Sequence, residues 1–249
     1  MQRLFILSLL IIVIAFSCKK KENTPEPSPS TTGSVPTTTV AYSGFISGDR
    51  NIFWSNGNIV STSYGSTGYL YAAPTVSVNV LTSSNEGTII ANGITLKFDN
   101  SIFNYYRDTT GSLNFTSQRS FQLLSSGTLP SFTYNNPDTI PVYSTTNMSL
   151  INDTLFKSQN LIIPLNTVNY HNEVDCFLNQ TSPFIFLSKT VPAGATSITF
   201  TPTELSAFTT GNSIYCTITL KKYNTQSLGG KYFRFESNCV NNFFVMVQN

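Results

Sequence analysis

Short runs of alternating apolar and polar residues, separated by turn residues, decide the fold class of this 249-residue chain. Within residues 213–221 every second side chain is apolar, in the order Ile214, Cys216, Ile218 and Leu220. A two-residue period puts these side chains on one face of a β-strand. No long amphipathic helix pattern occurs elsewhere in the sequence. The sequence therefore predicts an all-β protein, and the aromatic content of 13% agrees with that class.

Turn signals support the strand pattern. Asn92-Gly93 lies between the strand-like residues 88–91 and 94–98, and Asn-Gly favours a two-residue hairpin because both turn positions need a positive φ. Gly229-Gly230 also lies between two strand candidates and predicts a turn. Residues 201–204, Thr-Pro-Thr-Glu, have the pattern of a capping box and predict one helical turn over residues 203–208. Further strands are expected at residues 75–80, 120–124 and 131–134.

The Asn-Asn-Pro-Asp cluster at residues 135–138 is a turn signal and our candidate domain boundary. We expect an N-terminal β-sandwich over residues 40–135 and a C-terminal Ig-like β-sandwich over residues 136–249. A single larger sandwich, with residues 135–138 as one of its loops, is the alternative. Short strands separated by turns are typical of Ig-like domains, and the second half has candidates at residues 160–165, 174–178, 184–187, 198–200, 213–220, 232–235 and 243–247.

Cysteine positions suggest a disulfide in the second half. Cys176 and Cys216 both point toward the predicted inner faces of their strands. If these strands occupy facing sheets, as the strands with paired cysteines in Ig domains do, Cys176 and Cys216 form a disulfide. The alternative is that they and Cys239 are buried free thiols that pack as small apolar side chains.

The first residues have the pattern of an export signal. Arg3 precedes an apolar run over residues 4–16, which is shorter than the roughly 20 residues that a membrane span needs. Residues 1–17 are therefore predicted to be a lipoprotein signal peptide, cleaved before a lipidated Cys18. The alternative is an uncleaved N-terminal membrane helix. Residues 18–39 are dominated by Pro, Ser, Thr and Glu after three lysines, which predicts a flexible linker.

The charge distribution argues against nucleic-acid binding. The chain has 14 basic and 12 acidic residues. Without Arg3 and the lysines at residues 19–21, ten basic residues remain, and two of the acidic residues, Glu22 and Glu26, belong to the linker, so the part predicted to fold carries no net positive charge. It has no basic run that could neutralise phosphates. Charged residues make up only 10% of the chain, and hydroxyl and amide residues take their place.

No catalytic motif stands out, so we predict that the protein is not an enzyme and holds no cofactor. The sequence has one histidine, His171, which excludes a site built on several histidines. His171, Glu173 and Asp175 alternate and would share the outer face of one strand. Such a set is either a weak cation site or, as we expect, an ordinary solvated face. No metal site is predicted.

Aromatic residues offer the best binding hypothesis. Trp54 is the only tryptophan, and tyrosines crowd the same part of the chain. Sugar rings stack on exposed aromatic rings, with amide and hydroxyl groups supplying hydrogen bonds. The candidate ligand-stacking residues are Trp54, Tyr64, Tyr69 and Tyr71. The alternative is that these rings pack in the core, as aromatic residues of β-sandwiches usually do.

An Asp-Thr pattern recurs three times, at residues 108–110, 138–140 and 153–155. Together with the FSCKKK leader, the Pro/Ser/Thr tether and the ending SLGGKYFRFES followed by FFVMV, it resembles cell-envelope lipoproteins of Bacteroidota with tandem Ig-like domains. The resemblance implies anchoring to the outer membrane, on its cell-surface or its periplasmic face. It also implies O-glycosylation at Thr109, Thr139 and Thr154. Proteins of this kind mostly lack an assigned activity.

The sequence thus favours a membrane-anchored, non-enzymatic adhesion or interaction module that binds an unknown protein or glycan. A glycan-binding accessory lipoprotein of a polysaccharide uptake system is the first alternative. A pilin-like subunit that donates its apolar C-terminal strand, residues 243–247, is the second. A hydrolase with a cleft around His171 is a further, weaker alternative.

Overall fold

The structure is a computed structural model that describes residues 40–77, 82–101, 104–116, 119–151, 153–165 and 171–249. The predicted signal peptide (1–17), Cys18 and the linker (18–39) lie outside these residues. The described strands are β1 (Tyr42–Ser55), β2 (Asn58–Thr75), β3 (Gly87–Ala91), β4 (Ile94–Thr95), β5 (Lys97–Asp99), β6 (Tyr105–Arg107), β7 (Arg119–Ser125), β8 (Phe132–Asn136), β9 (Thr154–Phe156), β10 (Leu161–Pro164), β11 (Glu173–Thr181), β12 (Phe184–Pro192), β13 (Ser197–Phe200), β14 (Ser213–Leu228) and β15 (Lys231–Gln248). The described helices are α1 (Thr145–Ser149) and α2 (Pro202–Leu205).

One long sheet forms the first layer of an all-β sandwich. Its strand order is β12-β11-β14-β15-β1-β2-β6-β5, and β9 pairs with the end of β15. Neighbouring strands in this sheet are antiparallel, with two exceptions: β15 runs parallel to β1 on one side and, near its end, parallel to β9. The second layer consists of a four-stranded sheet, β4-β3-β7-β8, and a two-stranded sheet, β10-β13.

The inner face of the long sheet carries two separate hydrophobic cores. In the first core, Ile46 and Phe235 of the long sheet pack with Ile89 and Phe121 of the four-stranded sheet. In the second core, residues from β11, β14 and β15 pack with residues from β10, β13 and the two helices. All the side chains named here are fully buried or nearly so. Each core is therefore a small sandwich, and both use the same long sheet.

The long sheet crosses the predicted boundary at residues 135 and 136. Strand β1 from the first half pairs with β15 from the second half over ten residues, from Gly44 opposite Phe233 to Phe53 opposite Asn242. Trp54 belongs to the second core, whereas Phe233 belongs to the first. Residues 39–249 accordingly form one compact unit. The covering layer does change near this point, because β8 ends at Asn136 and α1 and β10 follow.

Three local predictions are confirmed. Asn92 and Gly93 form the turn between β3 and β4 with φ values of 45° and 81°. Gly229-Gly230 turns the chain between β14 and β15 with φ values of 56° and 75°. The capping box is present, since the Thr201 side chain accepts a hydrogen bond from the Glu204 amide and the Glu204 side chain accepts one from the Thr201 amide. Its helix is α2, which is shorter and earlier than the predicted residues 203–208.

The strands predicted at residues 232–235 and 243–247 belong to the single strand β15. Strands β1 and β2 were not predicted, because their Gly and Ser residues obscure the alternation. Asn56-Gly57 joins these two strands with φ values of 50° and 71°, the same hairpin signal as Asn92-Gly93. Of the predicted strand at residues 75–80, only Thr75 lies in β2, and residues 78–81 are outside the described chain. Among the described residues, no helix has the length and apolar character needed to cross a membrane.

Candidate binding surface

An aromatic row crosses the outer face of the long sheet. We use this name for one ring from each of five successive strands: Phe186 of β12, Phe177 of β11, Tyr215 of β14, Phe244 of β15 and Phe53 of β1. The ring centroids of Phe177 and Phe186 are 5.6 Å apart and the rings are stacked. Phe244 contacts Tyr215 at 5.2 Å and Phe53 at 5.8 Å.

Two rings of the row are open to solvent, and the other three, Phe177, Tyr215 and Phe53, are partly buried. Phe186 is 49% exposed and Phe244 is 52% exposed, whereas Leu178, Cys216 and Val245 on the opposite face are fully buried or nearly so. Strand alternation produces this contrast, since neighbouring residues of one strand point to opposite faces. Exposed rings grouped on one face of a folded domain make this face a candidate interaction surface.

Amide side chains lie between the rings. Asn179 is opposite Phe186 on one neighbouring strand and opposite Tyr215 on the other. Asn242 is opposite Phe53 in the β1–β15 ladder, and the Thr217 hydroxyl donates a hydrogen bond of 3.0 Å to its Oδ1 atom. The surface therefore alternates flat apolar rings with hydrogen-bonding groups.

Charged residues occupy the other end of the same outer face. Lys221 Nζ contacts Glu173 Oε1 at 3.2 Å and Asp175 Oδ2 at 2.5 Å. Arg234 pairs with Glu236 at 2.9 Å, and its guanidinium lies 3.5 Å from the centroid of the Tyr223 ring. The Lys221 pairs join β14 to β11, whereas Arg234 and Glu236 are neighbours on one face of β15. All of them contribute modestly to stability, as partly exposed ion pairs do.

The weak cation site considered around His171 does not form. Glu173 and Asp175 are on the outer face of β11, but both carboxylates pair with Lys221. His171 precedes the strand and is buried, at 9% exposure. Across the described part of the chain, no group of three or more His, Cys, Asp and Glu side chains is placed to hold a metal ion.

Asp49 is the carboxylate of this face with the largest resolved change in pKa. It accepts hydrogen bonds from Asn238 Nδ2 at 2.9 Å and from Ser47 Oγ at 3.1 Å. Burial raises its pKa from 3.8 to about 6, the two hydrogen bonds oppose this rise, and Glu236 adds to it. The ionised Asp49 carboxylate is therefore destabilised in the folded protein.

The four predicted ligand-stacking aromatics are not brought together. Trp54 and Tyr71 are 1% and 0% exposed, so the prediction that they stack on a ligand is wrong and the core alternative holds for both. Trp54 Nε1 donates to Asn241 Oδ1 at 3.0 Å inside the second core. Tyr69 stacks on Tyr105 on the outer face, with centroids 5.9 Å apart. Tyr64 lines a cleft on the inner face.

The aromatic row was missed although the sequence contains its signal. Tyr215 alternates with the buried Ile214 and Cys216, and Phe177 alternates with the buried Cys176 and Leu178. What the sequence does not show is which strands are neighbours. The parallel pairing of β1 with β15 brings Phe53 into contact with Phe244, although the two residues are far apart in the sequence.

The predicted Cys176–Cys216 disulfide is corrected to two free thiols. Strands β11 and β14 are neighbours in one sheet and not members of facing sheets. Cys176 is opposite Ile218, and Cys216 is opposite Leu178, so the two cysteines are diagonal neighbours. Diagonal Cβ atoms lie roughly 7 Å apart, whereas a disulfide needs about 3.8 Å. Both thiols and that of Cys239 are free and buried, as the alternative expected.

The three predicted glycosylation acceptors lie in different settings. Thr109 and Thr139 are exposed and outside the strands. Thr154 is partly buried and pairs with Met246 in the β9–β15 ladder, which makes it the least accessible of the three. Asp138, which precedes Thr139, forms an ion pair with Lys222 at 2.9 Å.

Comparison with known proteins gives no relative for this surface. No family model matches the chain, and neither the curated proteins nor the solved structures include a match.

Proposed function

We propose that the protein is a lipid-anchored envelope lipoprotein that acts as a non-enzymatic interaction module. The observation that carries this proposal is the aromatic row on the open face of the long sheet. The leader and the Pro/Ser/Thr linker of the sequence support the anchoring at Cys18. A tether of this kind would hold the aromatic row away from the membrane, where it can meet a partner.

Exposed rings are suited to binding because their apolar surface remains in contact with water in the free protein. Covering half of an aromatic side chain removes on the order of 100 Å² from water and contributes about 2 kcal/mol. Phe186 and Phe244 have about that much surface available at 49% and 52% exposure. Both lie on a regular sheet, so little conformational entropy is lost when a ligand binds.

Polysaccharide is the ligand class that fits the row best, which favours the glycan-binding alternative. Sugar rings present apolar faces that stack on aromatic rings and hydroxyl groups that bond to amides. Asn179 and Asn242 supply amides between the rings. Five strands spaced by about 4.8 Å give a row roughly 20 Å long, which accommodates several sugar units.

The pilin-like alternative loses its support. Residues 243–246 of β15 pair with β14, and residues 246–247 pair with β9 on the other edge. A strand already hydrogen-bonded in its own sheet would have to leave that sheet before it could be donated to another subunit.

Affinity electrophoresis against soluble polysaccharides tests the ligand class. The protein is residues 18–249 with Cys18→Ser, here called the leaderless protein, which lacks the lipid. We expect at least one polysaccharide to retard it and Phe244→Ala to reduce the affinity by about thirtyfold, the loss of one ring contact of about 2 kcal/mol. Tyr232→Ala is the matched control, because Tyr232 is 47% exposed on the same face of β15 but lies outside the row.

Two results would contradict the proposal. Equal retardation of the Phe244→Ala and Tyr232→Ala variants would remove the aromatic row as the binding surface. Turnover of glycosidic, ester or peptide substrates by the leaderless protein would refute the non-enzymatic assignment. The anchor is tested separately by incorporation of a labelled fatty acid, which we expect in the full chain and not in Cys18→Ser.

A further inference from the structure

Two arginines lie on the inner side of the sandwich, where the two cores meet. On β1 the inner-face residues run Ile46, Gly48, Arg50 and Ile52, so Gly48 and Arg50 separate an isoleucine of the first core from one of the second. Arg119 begins β7 in the covering four-stranded sheet. An arginine on the inner face of a sheet is exceptional, because charged residues are rarely buried without a partner.

A cleft of about 340 Å³ opens at this junction. Its lining combines two guanidinium groups, aromatic and aliphatic walls, and hydroxyl groups: Arg50, Arg119, Tyr64, Phe115, Ile140, Val142, Thr116 and Thr139. None of these lining residues is acidic. The volume is that of a site for a small organic molecule.

The described part of the protein leaves one buried donor of each arginine without a hydrogen-bond partner. Arg119 is only 4% exposed, yet its Nε atom has no hydrogen-bond partner among the described residues, and the same is true of the buried Nε of Arg50. No carboxylate of the described chain forms an ion pair with either guanidinium. Burial lowers the pKa of Arg119 below its usual value. A buried, unpaired charge is costly, and an anion in the cleft would offset that cost.

Asp138 is the acidic residue that acts on Arg119 electrostatically, but its oxygens are engaged elsewhere. Its Oδ1 atom pairs with Lys222 at 2.9 Å, and its Oδ2 atom accepts a hydrogen bond of 2.7 Å from Asn224. These two contacts hold the pKa of Asp138 below its usual value against the effect of burial. Asp138 therefore favours the charged form of Arg119 from a distance and leaves the hydrogen-bonding positions of Arg119 open.

Gly48 makes room for the side chain of Arg119. A Cβ atom at Gly48 would lie 3.4 Å from Arg119 Cδ and 3.3 Å from Phe115 Cζ, both tighter than ordinary contacts. The absence of a side chain at this strand position lets the arginine stem and the Phe115 ring lie against the backbone of β1. The cleft is thus shaped by the backbone of the long sheet and not by a flexible loop alone.

We propose that this cleft binds a carboxylate carried on a sugar-sized ring, of which a uronic acid residue is the simplest form. Guanidinium groups bind carboxylates through paired, charge-assisted hydrogen bonds. Tyr64 and Phe115 supply ring surfaces for the body of the ligand, and Thr116 and Thr139 supply hydroxyl groups. The site is on the face of the long sheet opposite the aromatic row, so the proposal stands independently of the proposed function.

Calorimetric titration of the leaderless protein with glucuronate tests the site. We expect binding with a dissociation constant below about 1 mM, and no binding of glucose, which has the ring without the carboxylate. Arg50→Gln and Arg119→Gln should each weaken glucuronate binding by at least about tenfold, as expected for loss of a charged hydrogen-bonding partner. Lys97→Gln is the control for the change in net charge, because Lys97 is exposed on β5, away from the cleft, and should leave binding unchanged.

Two further experiments test the site if Arg119→Gln does not fold. Gly48→Ala retains both arginines and should weaken binding by displacing Arg119 and Phe115. In the unsubstituted protein, glucuronate should shift the backbone NMR signals of Thr116 and Thr139. Absence of binding at about 10 mM glucuronate would overturn the proposal. Tighter binding of sulfate than of glucuronate, with the same dependence on the two arginines, would overturn the assignment to a ring-borne carboxylate.

Discussion

Replacing Asp49 by asparagine should stabilise the protein at neutral pH. Asp49 is partly buried on the outer face of the long sheet, and its pKa is raised from 3.8 to about 6, chiefly by burial. Asparagine has the same shape and removes the charge. Its Oδ1 atom can still accept the bond from Asn238, and its amide can donate to Ser47 Oγ, which now donates to Asp49. The substitution therefore changes the charge while retaining the contacts.

The sign and size follow from proton linkage. Between pH 4 and pH 6 the folded protein holds a proton on Asp49 that the unfolded chain has released, so unfolding releases a proton there. Rising pH therefore lowers the free energy of unfolding, by about 1.4 kcal/mol per pH unit, until the folded-state pKa is passed. A shift from 3.8 to about 6 gives a total of up to about 3 kcal/mol above pH 6. Below pH 4 Asp49 is neutral in both states and the penalty is absent.

Urea unfolding of the leaderless protein and its Asp49→Asn variant at pH 4 and pH 7.5 measures this effect. The difference between the two proteins, not the absolute stability, carries the test, because other carboxylates titrate in the same range. We expect similar midpoints at pH 4 and a variant more stable by up to about 3 kcal/mol at pH 7.5. A variant that is less stable at pH 7.5, or a difference that does not change with pH, would refute the assignment of a destabilised carboxylate.

Three other changes test the interior and the capping box. Glu204→Gln should lower the melting temperature at pH 7, and the difference from the unsubstituted protein should shrink toward pH 2. Hydrogen bonds from the Thr201 backbone amide, Lys189 and the Thr201 hydroxyl lower the pKa of Glu204 to about 2. The stabilisation that they give is lost as the carboxylate protonates. Trp54→Phe should destabilise the protein by about 2–4 kcal/mol in urea unfolding, since it leaves buried Asn241 Oδ1 without its donor and removes ring volume from the core; unchanged stability would contradict the packing described. In the leaderless protein, the three thiols should not react with a thiol reagent until urea unfolds the chain, because burial suppresses formation of the thiolate. After unfolding, all three should react. If only one thiol reacts per unfolded chain, the other two form the originally predicted disulfide.

Local structure could be predicted where one short segment carries the whole signal. Asn92-Gly93 and Gly229-Gly230 form their turns because a few residues fix the backbone, whatever surrounds them. The Thr201–Glu204 capping box is equally local. The all-β class followed from the same kind of observation, repeated along the chain.

The arrangement of strands could not be predicted, because it depends on contacts between distant residues. The parallel pairing of β1 with β15 joins residues nearly 190 positions apart, such as Gly44 and Phe233, and no local pattern encodes it. This pairing decides that both halves share a sheet. A second long-range pairing, of β11 with β14, makes Cys176 and Cys216 diagonal neighbours in one sheet, so the analogy with Ig domains gave the wrong disulfide.

The residues of the aromatic row and of the cleft were not predicted for a related reason. Trp54 and Tyr71 were selected as rare or clustered aromatics, but the side of the strand on which a ring lies matters more than its frequency. Phe244 is exposed and Phe243 is buried although they are neighbours in sequence. Arg50 has no sequence signal of its own, because an arginine among Ser, Asp and Asn residues is expected on the surface.

The most direct test of the central claim, that the aromatic row is the binding surface, is a hydroxyl-radical footprint of the leaderless protein with a bound polysaccharide. Phe186 and Phe244 should be labelled in the free protein and protected in the complex, while Tyr232 should be labelled equally in both. Unchanged labelling of Phe186 and Phe244 in a saturated complex would contradict the claim.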